Sequence, residues 1–185
     1  MRIAFALPLA CCLAACGGND VPPPGQEELR ASRPVVEEGS IVLRADGITV
    51  GAESFYFGAG QTELEGKLTG ALGGAGTVNL MEGCSDGVIE AHNRAMLDVH
   101  YRDGIFVGWS TGHPRGDALP GGGTLDYAGD LAVGIARDTL EEVRGLVFTG
   151  ETRLGEEFAA SDAMGGFVED GAVARLYAGM QCIAR

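Results

Sequence analysis

The most regular patterning of the chain lies in its middle third. In LDVHY, Leu97, Val99 and Tyr101 alternate with Asp98 and His100. After Asp103-Gly104 the alternation resumes with Ile105, Val107 and Trp109. Period-two alternation on both sides of an Asp-Gly pair predicts a β-hairpin with one buried and one wet face. A different period precedes it. Leu64, Leu68 and Leu72 recur every four residues after Thr62, which predicts a helix with one apolar face. Thr62 with Glu65 has the spacing of a capping box. Gly66 and Gly70 weaken that helix. Asp138 with Glu141 repeats the start signal, and Leu140, Val143 and Val147 repeat the apolar face.

These similarities extend to whole segments. FGAGQTELEGKL (57–68) aligns with VGIARDTLEEVR (133–144) at an offset of 76, placing Gly58 on Gly134 and Leu64 on Leu140. YRDGIFVGWSTG (101–112) aligns with VEDGAVARLYAG (168–179) at an offset of 67, placing Asp103-Gly104 on Asp170-Gly171. A recurring helix-then-hairpin order predicts an α+β fold of two related units, each a capped helix followed by an antiparallel sheet. Residues 41–112 form the first and 125–185 the second. Between them, 113–124 is a connector rich in glycine and proline.

Upstream the pattern changes. Residues 1–15, MRIAFALPLACCLAA, carry Arg2, then an apolar run, then small residues. That is the layout of an export signal. The run is too short to span a bilayer, which takes about 20 apolar residues. Leu13-Ala14-Ala15-Cys16 closely resembles the bacterial lipobox. The resemblance implies cleavage before Cys16, lipidation of its thiol, and a partner in the lipid bilayer through its acyl chains. In lipoprotein sorting an Asp after the cysteine implies inner-membrane retention. Gly17 stands there, so the resemblance implies the periplasmic face of the outer membrane. Residues 16–40 hold Pro22-Pro23-Pro24 and several glutamates with little apolar content, which predicts a flexible tether. The tandem capped-helix-and-sheet layout resembles the beta-lactamase-inhibitor-protein family. One such unit on a lipidated tether resembles the small lipoproteins of outer-membrane barrel assembly. Both resemblances rest on the glycine before the helix start in GQTELE, and imply a non-catalytic, protein-binding scaffold. No binding residue of either family matches position by position.

Charge narrows the partners. The chain carries 26 acidic and 13 basic residues, a formal charge of −13. Loss of Arg2 with the signal makes it −14. Such a chain is repelled by phosphate backbones, and its bases form no stripe, so nucleic acid is excluded. About 145 residues past the tether are enough to bury a core without staples. Cys11 and Cys12 leave with the signal, and Cys16 takes lipid. Cys84 and Cys182 are then left to pair in an oxidising compartment. Closing a loop of about 100 residues would be worth about 4–5 kcal/mol in the chain-entropy model.

Candidate chemistry is thin. Gly58-x-Gly60 follows a strand pattern and opens a helix, as a dinucleotide loop would. Its third glycine is replaced by Glu63, whose carboxylate competes with phosphate for the helix N-terminus. No NAD-type cofactor is expected, and a dehydrogenase reading has no support. His92, His100 and His113 lack ligand spacing. They read as solvated surface histidines, and no metal is expected. There is no GxSxG, and Glu82, Asp86 and Glu90 read as solvated charge. Cys84 in EGCSDG has no neighbouring base to activate it as a nucleophile. Arg115-Gly116-Asp117 mimics an adhesion triplet in the connector. Binding then falls to the large aromatics Trp109, Tyr177, Phe55 and Tyr56, residues that serve equally as interface anchors and as core. The expectation is a non-enzymatic binding module with an envelope protein as partner. An enzyme with an unfamiliar site, or a purely structural envelope lipoprotein, are the alternatives.

Overall fold

The computed structural model describes residues 39–84, 87–112, 124–161 and 163–182. Twelve strands and two short helices are present among them. Strands β1 (Ser40–Arg44), β2 (Gly47–Val50) and β3 (Glu53–Tyr56) form an antiparallel meander. Helix α1 (Gln61–Leu72) leads to β4 (Thr77–Met81), β5 (Ile89–Arg94), β6 (Leu97–Arg102) and β7 (Ile105–Thr111). Then follow β8 (Thr124–Tyr127), the single turn α2 (Arg137–Leu140), β9 (Val147–Thr152), β10 (Gly155–Ala159), β11 (Met164–Glu169) and β12 (Ala172–Gly179). The small sheet has the order β3-β2-β1-β8, with β8 parallel to β1. The large sheet runs β4-β5-β6-β7-β12-β11-β10-β9, antiparallel throughout.

This overturns the α+β expectation. The chain is mostly β, and neither helix is capped by a side chain. Gly60 stands at the N-cap of α1, so Thr62 lies inside the helix and is exposed. Glu65 does not reach back to a cap; it turns into the interior. The second helix stops at one turn. After Leu140 the chain continues in i→i+3 bonds, Val143 N to Leu140 O among them, and Gly145 enters the left-handed region at φ 85°. That leaves too few residues to offset the cost of helix nucleation. Val147, expected on the helix face, lies exposed in β9.

The apolar stripe of α1 is as read: Leu64, Leu68 and Leu72 are fully buried. They share one core with Ile41, Leu43, Ile48 and Phe55 of the small sheet. The large sheet adds Leu97, Val99, Tyr101, Trp109, Phe158 and Leu176. Each buried side chain of this size contributes about 1.5–3 kcal/mol. Both Asp-Gly pairs form the expected hairpin turns, with φ 52° and 75° at Asp103-Gly104 and 52° and 79° at Asp170-Gly171. Two consecutive positive φ values are those of a type I′ turn. The alternation expected after the first turn breaks at a bulge. Tyr101 pairs with Phe106 while His100 pairs with Gly108, so Phe106 takes the inward place and Ile105 is exposed.

Two sets of backbone bonds correspond. Gly58 N bonds Phe106 O, Phe106 N bonds Ala59 O, and Gln61 N bonds Gly104 O. Gly134 N bonds Val173 O, Val173 N bonds Ile135 O, and Arg137 N bonds Gly171 O. In every pair the partner from the segment before or at the helix start moves by 76 residues and the partner from the hairpin by 67.

Candidate functional site

The densest group of polar side chains sits between α1 and the core face of the large sheet. Glu65, on the inner side of α1, is its centre. Tyr101 donates its hydroxyl to Glu65 Oε1 at 2.7 Å, and Arg94 Nη1 reaches the same oxygen at 3.3 Å. Arg94 Nη2 and His92 Nδ1, the latter at 3.2 Å, meet Oε2. His92 packs edge-on against Tyr101, with ring centroids 4.8 Å apart. With Nδ1–H donated to Glu65, His92 Nε2 is free to accept from Gln61 Nε2 at 3.2 Å. Gln61 Nε2 also lies 3.4 Å from Glu90 Oε2.

Burial alone would push the Glu65 carboxyl up. Hydrogen bonds from Arg94, Tyr101 and His92, with the Arg94 charge, outweigh it and hold the group below its ordinary range. The Tyr101 phenol is driven far up by burial and by the adjacent Glu65 carboxylate. A phenol driven far up and a carboxylate held ionised by several donors are poor proton shuttles. The cluster is an interlock joining α1 to β5 and β6.

The opposite face of the large sheet is partly open. Asp98, His100, Ser110, Tyr177, Glu157 and Arg175 project there. The C-terminal residues cross it. Beyond β12, Gly179 turns the chain at φ 71°, and Met180 N bonds Val107 O at 2.8 Å. His100 Nδ1 donates to Met180 O at 3.1 Å. A Cβ at Gly108 would collide with that carbonyl, so only glycine admits the crossing. Cys182 then closes a disulfide to Cys84 with Cα atoms 5.2 Å apart, as expected from the sequence. This strap buries His100, whose imidazole is pushed down by desolvation against the raising effects of Met180 O and Asp98.

Beside the strap the face stays accessible. Tyr177 spans the sheet and donates to Glu157 Oε1 at 2.8 Å. Its ring lies over Gly165, and the Phe158 ring lies over Gly166 from the other face. A cleft of about 400 Å³ opens at the end marked by the β5–β6 turn. Asn93, Asp98, Thr111 and Arg175 line it on one side, Arg153 and Leu154 of the β9–β10 turn on the other.

The expected site residues disperse. Trp109 is fully buried and donates Nε1–H to Arg44 O at 2.8 Å. Phe55 is buried as well. Both are core, so neither offers a binding surface: Trp109 faces inward from the large sheet and Phe55 inward from the small one. Tyr177 is half-buried on the open face. Tyr56 is exposed on β3, with the Arg44 guanidinium 5.6 Å from its ring centre. The histidines expected in solvent are buried: His92 in the interlock, His100 under the strap. His113, Asp86, Arg115-Gly116-Asp117, Cys16 and the rest of residues 1–38 lie outside the described residues.

The interlock is not visible in the sequence because the partners of Glu65 lie 27 (His92), 29 (Arg94) and 36 (Tyr101) residues away from it. One signal was present: Glu90, His92 and Arg94 alternate along one strand, a charged stripe where an inward face should be apolar. Among the described residues, no group of three or more His, Cys, Asp or Glu could hold a metal ion. None of the described helices is long and apolar enough to cross a membrane. No protein-family model, curated protein or solved structure matches the chain.

Proposed function

We propose that this chain is a lipid-anchored binding module of the bacterial envelope. Cys16 carries the acyl chains, residues 17–40 form the tether, and the folded body stands off the periplasmic face of the outer membrane. The Leu-Ala-Ala-Cys sequence behind a short apolar run supports the anchor. The correspondence of the two bond sets at offsets of 76 and 67 supports reading the body as two copies of one unit, joined where β7 meets β12.

One observation carries the binding role. The clustered polar groups that resemble a catalytic constellation are turned inward and bonded to one another around Glu65. The accessible polar groups instead line a cleft on the open sheet face, the concave and partly apolar setting that ligands use. Binding at that face needs no proton transfer and no bond making.

The test is crosslinking in the producing cell, pull-down and mass spectrometry, beside a Cys16→Ala control. One abundant envelope partner, lost in the control, supports the module. A wild-type sample with no reproducible partner refutes it.

A further inference from the structure

The cleft on the open face contains a charge with no counterpart. Arg175 lies on β12, half-buried, and its guanidinium makes no hydrogen bond or ion pair among the described residues. The chain has twice as many acids as bases, and most of its other described arginines have partners. Arg44 meets Asp46, Arg94 meets Glu65, and Arg137 meets both Glu141 and Glu156. Lys67 meets Glu53. Arg144, also unpaired among the described residues, is exposed beyond α2. Arg175 differs because a cleft surrounds it, so water solvates it less completely.

Its neighbours in the cleft are already committed or stand apart. Asp98 accepts from Asn93 Nδ2 at 2.6 Å. Glu169 lines the same cleft on the adjacent strand, and it forms no ion pair with Arg175. Met96 and Leu154, both half-buried, add apolar lining from the β5–β6 and β9–β10 turns.

We propose that this cleft binds a small apolar carboxylic acid, its carboxylate held by Arg175 and its apolar body against Met96 and Leu154. The planar guanidinium fork matches a carboxylate in two parallel hydrogen bonds. Arg153 and Arg175 are balanced in the lining by Asp98 and Glu169, so the cleft carries no excess positive charge to favour a dianion such as phosphate over a single carboxylate. A volume of about 400 Å³ is at the small end of ligand cavities. The same chemistry is offered by a free acid and by the last residue of a peptide. The proposal rests on the binding-module reading only in taking the open face as the working surface.

Calorimetric titration of the purified full chain tests it. The probes are N-acetyl-leucine, its amide, the tripeptide Ala-Ala-Leu as acid and as amide, and inorganic phosphate. Saturable binding of an acid, weakened about tenfold or more by amidation, is the expected result. Arg175→Gln should abolish it, Arg175→Lys should weaken it by losing the fork, and Arg144→Gln should leave it unchanged. Tighter binding of the tripeptide acid than of N-acetyl-leucine supports a chain end as the source; the reverse supports a free acid. Equal binding of acid and amide overturns the proposal, as does equal competition by phosphate. So does the absence of saturation by any acid up to millimolar concentration. The amide comparison is made on the wild-type chain, so a variant that fails to fold does not blunt the test. Failure here with a crosslinked partner still captured removes the carboxylate site and leaves the module standing. Carboxylate binding without any partner does the opposite.

Discussion

Replacing Glu65 with alanine should be among the most damaging single changes in this protein, and the reason is Arg94. The Arg94 side chain is 2% exposed, and its Nε already lacks a partner. Both terminal nitrogens rely on the Glu65 carboxylate. Removing that carboxylate strands a guanidinium between a helix and a sheet, and breaking a buried pair from one side costs about 3–5 kcal/mol. Tyr101 loses its acceptor as well, worth about 1 kcal/mol, part of which the first figure already contains. An expected loss of about 4 kcal/mol is a large fraction of a domain's usual 5–15 kcal/mol. Urea denaturation at constant m-value measures it. The Arg94→Met background supplies the decisive comparison, because no charge is left to strand there. Glu65→Ala should cost at least about 2 kcal/mol less in that background. A loss below about 1 kcal/mol in the wild type, or the same loss in both backgrounds, refutes the interlock. The sign with pH follows from the carboxyl being held below its ordinary 4.5. Its stabilising effect is fully present above 4.5 and fades as pH falls through the lower folded value. The gap between wild type and Glu65→Ala should therefore close in acid.

Three further outcomes are expected. Cys84 and Cys182 are 98 residues apart, so the Cys84→Ser/Cys182→Ser pair should lose about 4–5 kcal/mol and roughly 15 °C in melting temperature, seen by calorimetry; a fall of less than about 3 °C contradicts it. Burial pushes His100 below its ordinary 6.5 despite the raising effect of Met180 O, so its contribution is complete above 6.5 and is lost as pH drops toward the folded value. His100→Asn, which still offers an N–H to Met180 O, should flatten the stability profile between about pH 7 and 5.5; an unchanged slope shows that the strap does not desolvate the ring. Gly165→Ala places a Cβ 2.6 Å from Phe158 O and 2.7 Å from the Tyr177 hydroxyl, and should cost about 1–3 kcal/mol by thermal denaturation. The ordinary gain of a glycine-to-alanine change would mean that the Tyr177 ring does not lie over that strand.

The features legible in the sequence are those whose cause is local. Asp103-Gly104 and Asp170-Gly171 carry their φ preference within two residues, and Leu64, Leu68 and Leu72 carry theirs within three turns. The Cys84–Cys182 pairing followed from elimination among five cysteines. The β1–β2–β3 meander was invisible because SIVLR, GITV and ESFY are each only four or five residues long. Their register is set by the core they cover. The capping reading of Glu65 failed for a related reason. A carboxylate three residues after a threonine satisfies the local pattern, but the donors on Arg94 and Tyr101 are stronger partners than one backbone amide. His100 was misread because the strap that buries it arrives 80 residues later in the chain. Trp109 and Phe55 went to the core, where a pattern of aromatics alone cannot separate anchors from filling. Arg175 carried no local mark, since its distinction is a missing partner.

The place of β12 has a consequence for biosynthesis. It is the last described strand in sequence, yet it stands in the interior of the large sheet, between β7 and β11. A chain halted before Ala172 would present two long unpaired edges, those of β7 and β11, at the middle of the sheet. Exposed edges of that kind recruit other strands and aggregate. Until its final strand is delivered, this polypeptide depends on whatever shields those edges, and truncated products are natural substrates for proteolytic quality control.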